Sequence, residues 1–414
     1  VTILWRGEVA ARVPARALAE DTPVYVRSLP DTPEYVQTAW AWSEAALADR
    51  PLPAPQTAWQ RLLQNPSIAS KAWIYRQYDS QVQNNTVLGP GGEAAVIRLR
   101  PQPTAIGVEL PPAPPPSLVG LAATVDANGR YVYLDPYEGA KLAVAEAARN
   151  LSCVGALPLA VTDNLNFASP EKPVGYWQLH EACRGIAEAC RELDTPVTGG
   201  NVSLYNEKLD GEGNAQPIYP TPVIGMVGLV EDVRQTVGGR WQPGDTVYVV
   251  GGDRRTLGAS EYLAWVLGEV TGRPVPVDFA EERAVQALCR EAIVQGWATG
   301  ARDRSEGGVA ILLAEFAIAS GVGATVHLPA AVSAVALAQQ LFGEGPGCIV
   351  LAIGAAHCDN WEKHLATQAV SWQRLGEVGG DSLTVVCGTA TTLQAPVAEL
   401  RERYEGVLPG YLGD

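Results

Sequence analysis

Methionine is nearly missing: the 414 residues hold one, Met226, and position 1 is Val. Translation products open on Met, so a processed chain or a piece of a longer protein is expected. Positive charge is short, with 30 Lys and Arg against 45 Asp and Glu and a net charge of −15. A dedicated nucleic-acid binder needs basic side chains to neutralise phosphates, so that class is disfavoured. No apolar run reaches the roughly 18 residues of a membrane-spanning helix, so no membrane partner is expected. The seven Cys form no Cys-x-x-Cys pair and are odd in number, which argues against a disulfide framework or zinc knuckle. The four His are scattered and lack metal-helix spacing. A Walker-type phosphate loop and a Gly-x-Ser-x-Gly elbow are both absent. The first residues turn polar too early for a signal peptide. These absences leave a soluble, cytoplasmic globular protein as the expectation.

What is present supports sizeable cores. Apolar residues make up 47% of the chain, and its length suits two to three domains at ~150 residues each. Residues 1–13 alternate like a strand, and 38–48 suit a helix. Pro51, Pro53 and Pro55 then break the chain. A second break, 101–116, is Pro-rich and reads as an extended surface excursion. Residues 140–151 read as a helix and 157–162 as a buried strand. The clearest helix is 176–193, where Leu179, Ala182, Cys183, Ile186, Ala187, Cys190 and Leu193 form one apolar stripe. Cys183 and Cys190 read as core residues on that stripe. After the turn at 237–244, strands and helices alternate again, and helix 308–319 is apolar nearly all round. The pattern is α/β (α+β) with two compact units.

Four stretches offer chemistry. Thr195 to Glu207 contains Gly199-Gly200-Asn201-Val202-Ser203. Its glycines allow close approach of an anion, Asn201 offers a neutral oxygen to Mg²⁺, and Ser203 offers a hydroxyl. Ordinary turn chemistry explains the same residues. Thr162-Asp163-Asn164-Leu165-Asn166 follows an apolar strand and suits either a metal–phosphate site or an Asx turn. Asn128-Gly129 is a hairpin signal, while Asp135-Pro136 opens a helix whose N-terminus favours anions. Asp303 or Ser305 reads as the cap of the apolar helix. Gly343 to Gly347 reads as a loop only.

Taken in order, longer runs resemble one family. Tyr131-Val132-Tyr133-Leu134-Asp135-Pro136-Tyr137-Glu138-Gly139 and Ala143 to Asn150 carry the likeness, as do Thr162 to Phe167 and Gly200 to Glu207. Pro220 to Gly228 and, upstream, Asn65 to Lys71 and Tyr75 to Asp79 continue it. They resemble phosphoribosylformylglycinamidine synthase, in its small synthetase subunit of two homologous halves. The chain resembles the C-terminal half. The resemblance implies an aminoimidazole ribonucleotide synthetase-like domain pair: 1–62 as tail of the preceding half and linker, 63–238 as the first domain, 239–414 as the second.

That resemblance implies an ATP-dependent ligase of purine biosynthesis. ATP with Mg²⁺ activates the formamide oxygen of formylglycinamide ribonucleotide, and ammonia from glutamine displaces phosphate to give the amidine. It further implies ATP contacts at Asp163 and Gly200, a Mg²⁺ ligand at Asn201 and a substrate contact at Ser203. The implied partners are the N-terminal half of the same subunit, a glutaminase subunit and a small accessory subunit. The family's catalytic His belongs to the other half, so no catalytic residue is assigned here, and this piece alone is expected to be inactive. The chain departs from the family at Val125, Ala168-Ser169 and the Gly345-Pro346-Gly347 loop. One alternative is a non-catalytic docking half with little nucleotide affinity of its own. Another is a selenophosphate- or thiamine-phosphate-kinase-like enzyme of the same fold, against which the long match after Tyr131 argues.

Overall fold

The computed structural model describes residues 1–100 and 118–413, so the Pro-rich 101–116 excursion falls outside the described residues. The chain opens with a free-standing hairpin, β1 (Thr2–Trp5) and β2 (Glu8–Arg12), and a short helix α1 (Ala15–Ala19). Helices α2 (Glu34–Trp40), α3 (Pro55–Leu63) and α4 (Ala72–Tyr75) follow.

The first unit is a six-stranded sheet in the order β3-β4-β5-β10-β6-β7. Its strands are β3 (Thr86–Leu88), β4 (Ala95–Arg98), β5 (Gly120–Asp126), β6 (Leu157–Asn166), β7 (Val197–Ser203) and β10 (Thr221–Val230), with β8 (Glu207–Leu209) and β9 (Ala215–Pro217) as an outlying hairpin. Helices α5 (Gly129–Leu134), α6 (Pro136–Cys153) and α7 (Pro173–Glu192) supply the covering layer. Asp135 starts α6 by accepting the Glu138 N–H at 3.0 Å, with Pro136 at the first helical position. Gly185 lets α7 close onto α6: a Cβ there would stand 2.3 Å from the Tyr137 carbonyl oxygen. Val96, Ala122, Val161, Leu165, Ile224 and Met226 point into this layer and are buried. The alternate residues, among them Val125, Leu157, Leu159 and Val227, are exposed on the other face.

The second unit is a seven-stranded sheet in the order β12-β14-β11-β15-β13-β16-β17. Its strands are β11 (Thr246–Gly251), β12 (Ala298–Asp303), β13 (Ala324–Leu328), β14 (Cys348–Ile353), β15 (Trp372–Val378), β16 (Ser382–Cys387) and β17 (Ala390–Pro396). Its helices include α8 (Phe279–Val294), α9 (Gly308–Ser320), α10 (Ala334–Phe342), α11 (Cys358–Leu365) and α12 (Val397–Glu405). Helix α3 and the 44–47 turn are integral to this unit, whereas α2 lies on the first, where Tyr35 and Trp40 donate to the Tyr133 and Leu134 carbonyls. Leu47, Ala58, Trp59, Leu62 and Leu63 share one core with α9, and the Trp59 indole N–H donates to the Ala310 carbonyl at 3.0 Å.

Several local expectations are corrected. Asn128 caps α5 by accepting the Tyr131 N–H at 3.0 Å; it makes no hairpin. Asp303 ends β12, and α9 starts at Gly308, preceded by Gly307 with no side-chain cap. Residues 44–47 form a separate 3₁₀ turn rather than continuing the helix expected over 38–48. Cys183 is exposed, whereas Cys190 is buried.

Candidate functional site

The sequence-derived residues converge on the parallel β6–β7 pair. Asp163 lies opposite Gly200, Asn164 opposite Asn201, and Asn166 opposite Ser203. Gly199-Gly200-Asn201 is therefore extended strand, not a turn. Gly200 is required there because a Cβ would stand 1.9 Å from Asp163 Oδ1. Strand alternation splits the four residues between two faces. Asp163 shares its face with buried Val161 and Leu165, and partial burial raises its carboxyl pKa. Asn201 sits on the open face, where its amide donates to Asn164 Oδ1 at 3.2 Å. Ser203 is fastened by Asn206, which donates to the Ser203 carbonyl at 2.8 Å and to the Phe167 carbonyl at 3.2 Å.

A second locus lies between the two units: a cleft of about 1580 Å³. None of Asp163, Gly200, Asn201 and Ser203 lines it. It is walled by the Ser67–Lys71 loop, the Gly89-Pro90-Gly91-Gly92 loop, and carboxylates from both units. Asp126 and Glu146 come from the first unit, and Asp303 and Glu306 from the second. Burial, then the nearby Asp303, pushes Asp126 up to about 7. Burial, then neighbouring Glu306 and Asp303, holds Glu146 well above the usual carboxylate range. Asn150 donates to Asp126 Oδ1 at 2.8 Å, while its own buried Oδ1 has no partner.

A network beside the cleft joins the units. Arg130 Nη1 donates to Glu261 Oε1 at 2.7 Å, and Asn128 Nδ2 donates to Glu306 Oε1 at 2.8 Å. Glu344, expected to sit in a plain loop, is buried. It accepts the Glu261 and Gly307 N–H groups at 2.8 and 2.7 Å and the Tyr131 hydroxyl. Behind the cleft, buried Arg149 pairs with Glu282 and Asp303 across the unit boundary.

The sequence reading did not assemble this cleft. Its clearest signal was Glu146 and Asn150, four apart and so on one face of α6. The Gly-rich loop at 89–92 was a second signal.

Two family descriptions cover most of the chain. Residues 92–230 match the AIR synthase related protein, N-terminal domain, and residues 242–388 match the AIR synthase related protein, C-terminal domain. The chain belongs to the AIR synthase related family. Among relatives of this AIR synthase related chain, the phosphoribosylformylglycinamidine synthase subunit PurL of Trichormus variabilis is 52% identical over 99% of this chain and 54% of its own length. PurL of Synechococcus sp. is 57% identical over 94% of this chain and 52% of its own. The chain thus spans about half the length of the curated relatives it matches. A structure of T. maritima PurL complexed with FGAR has the same fold, with TM-score 0.55 and 20% identity, covering 68% of this chain and 46% of that one. The AIR synthase related domain pair expected from the sequence is therefore present. Among the described residues no helix is long and apolar enough to cross a membrane, and no three His, Cys, Asp or Glu side chains converge as a ready-made metal site.

Proposed function

We propose that this chain is one half of an ATP-dependent ligase that converts formylglycinamide ribonucleotide and ammonia to formylglycinamidine ribonucleotide in purine biosynthesis. The observation carrying this reading is identity of 52–57% to PurL along nearly the whole chain. The other half of the same subunit would complete the working unit, with glutaminase and accessory subunits supplying ammonia, in the cytoplasm. The exposed face of the first sheet supports pairing with that half: Val125 is 70% and Leu157 50% exposed on one broad apolar surface.

Two places on this chain are proposed to serve the nucleotide. The β6–β7 pair offers Asp163 and Gly200 toward ATP, Asn201 toward Mg²⁺ and Ser203 toward substrate. The cleft offers a Gly-rich loop whose backbone can approach phosphate and an all-oxygen group suited to Mg²⁺. The unpartnered Asn150 oxygen beside Asp126 and Glu146 fits a hard cation. No three acidic side chains converge there unaided, so phosphate oxygens would complete the shell, as Mg²⁺ usually requires. Bound there, Mg²⁺ would neutralise phosphate charge and hold the two units' carboxylates together. Asp126 and Glu146 would bind as carboxylates, and because burial and neighbouring carboxylates raise their pKa values, binding the cation would release protons.

A second reading, a docking half with little nucleotide affinity, is favoured by the same exposed sheet face. Calorimetry and turnover separate the two. This chain alone should show no ammonia-dependent ATP hydrolysis, and mixing with the other half should restore it. Asp126→Asn with Asn150→Ala should abolish Mg²⁺-dependent nucleotide heat at the cleft. Asp163→Ala and Asn201→Ala test the strand pair. Full activity in all three variants refutes both placements and leaves the docking reading.

A further inference from the structure

The open face of the β6–β7 pair carries two further amides, Asn164 and Asn166, beside Asn201 and Ser203. Residues two apart on a strand share a face, and residues opposite each other on paired strands share it too. Asn164 therefore stands beside Asn201, and Asn166 beside Ser203. On its other side Asn166 lies opposite Thr221 of β10. Asn164 and Asn201 are exposed, and Asn166 is half-buried. Asparagine is depleted in strands, so three of them on two adjacent strands call for a reason beyond folding.

The three amides are joined by hydrogen bonds that run one way. Asn166 Nδ2 donates to the Asn164 carbonyl at 3.0 Å and to the Thr221 carbonyl at 3.2 Å, so this amide is tied to two strands. The same nitrogen lies 3.4 Å from Asn164 Oδ1 and faces it with a donor. Asn164 Oδ1 also accepts from Asn201 Nδ2 at 3.2 Å. A carboxamide has an oxygen at one end and a nitrogen at the other. With its nitrogen held by Asn164, Asn201 presents its oxygen, which accepts no hydrogen bond among the described residues. Backbone carbonyls at one end of the ladder thus decide which atom is offered at the other. That choice matters for a hard cation, because Mg²⁺ takes oxygen ligands. A reversed Asn201 would turn N–H groups toward it.

We propose that Asn164, backed by Asn166, is a positioning residue for Mg²⁺, fixing the Asn201 amide with its oxygen outward. Neither residue touches the cation. The proposal rests on the reading above of Asn201 as a Mg²⁺ ligand. Groups that orient metal ligands in this way commonly carry about 10–100-fold in metal affinity.

The test is a double-substitution cycle on this chain mixed with the other half of the subunit. Calorimetric titration with Mg²⁺, in the presence of a non-hydrolysable ATP analogue, gives the dissociation constant of the component that Asn201→Ala removes. Asn164→Leu deletes the acceptor and should weaken that component at least about tenfold. Asn164→Asp keeps an acceptor and should hold it within about threefold. Asn201→Asp offers an oxygen at either end, so orientation no longer matters. In that background Asn164→Leu should change the constant by less than about twofold. A merely structural role would weaken both backgrounds alike. Equal losses in the two backgrounds overturn the proposal, as does an unchanged constant for Asn164→Leu alone, or a loss from Asn164→Asp as large as that from Asn164→Leu. If Asn201→Ala removes no Mg²⁺ component, the placement of the metal on this strand pair fails and takes the proposal with it, a result distinct from the others.

Discussion

Trp59→Ala offers a direct measure of how much the segment 55–63, helix α3, contributes to the folded state. Trp59 is fully buried, and its indole N–H donates to the Ala310 carbonyl at 3.0 Å. Its neighbours include Leu62, Leu63 and the α9 side chains of the second unit. Truncating a buried Trp costs about 3–5 kcal/mol, through lost transfer energy and the cavity left behind. For a unit of this size each kcal/mol lowers Tm by roughly 2–4 °C, so a fall of about 10 °C is expected in scanning calorimetry. Trp59→Phe keeps most of the ring volume and loses the donor, and should cost about 1 kcal/mol. Trp5→Ala, on the exposed hairpin of the isolated chain, should stay within about 0.5 kcal/mol. A Tm for Trp59→Ala within about 2 °C of the parent would refute the view that this segment is part of the second unit's core.

Three further outcomes are expected. Glu344 is pushed up to about 7, first by burial, so the native chain holds a proton there that the unfolded chain has released. Stability should fall as pH rises from about 4.5 to 7 and level off above it. Glu344→Gln should flatten part of that slope in urea titrations at several pH values, and an unchanged slope would reject the assignment. Arg149→Ala strands the Glu282 and Asp303 carboxylates in a buried setting, with a loss of about 3–5 kcal/mol by chemical denaturation; a loss under about 1 kcal/mol would contradict it. Gly200→Ala sets a Cβ against Asp163. It should raise amide exchange across β6–β7 while leaving α6 protected, and unaltered exchange would show that the edge accommodates a methyl group.

The regular elements were the legible part. The 3-4 stripe announced α7, and Asp135-Pro136 announced the start of α6, because both signals are local. Gly199-Gly200-Asn201 read first as a turn because the reason for Gly200 is Asp163 on the neighbouring strand. Asn128-Gly129 has hairpin composition, yet Asn128 caps a helix, since the same side-chain oxygen serves either purpose. The cleft was hidden for a topological reason. Asp126, Glu146, Asp303 and Glu306 gather only once β5, α6 and β12 are packed together. Buried carboxylates of this kind carry no periodic signature. Glu344 likewise stands among glycines that suggest a loop, and only the converging N–H groups of Glu261 and Gly307 reveal its place.

Helix α6 has a practical consequence for anyone dissecting this molecule. Sixteen of its residues are buried, and it touches its own sheet, α7, α8 and β12. Its side chains therefore belong to two structural neighbourhoods at once. Severing the polypeptide near residue 238 would not yield two tidy pieces. The first would present Arg149 and Cys153 to water, and the second would present Glu282 and Cys289. Limited proteolysis should accordingly trim the β1–β2 hairpin long before it separates the sheets.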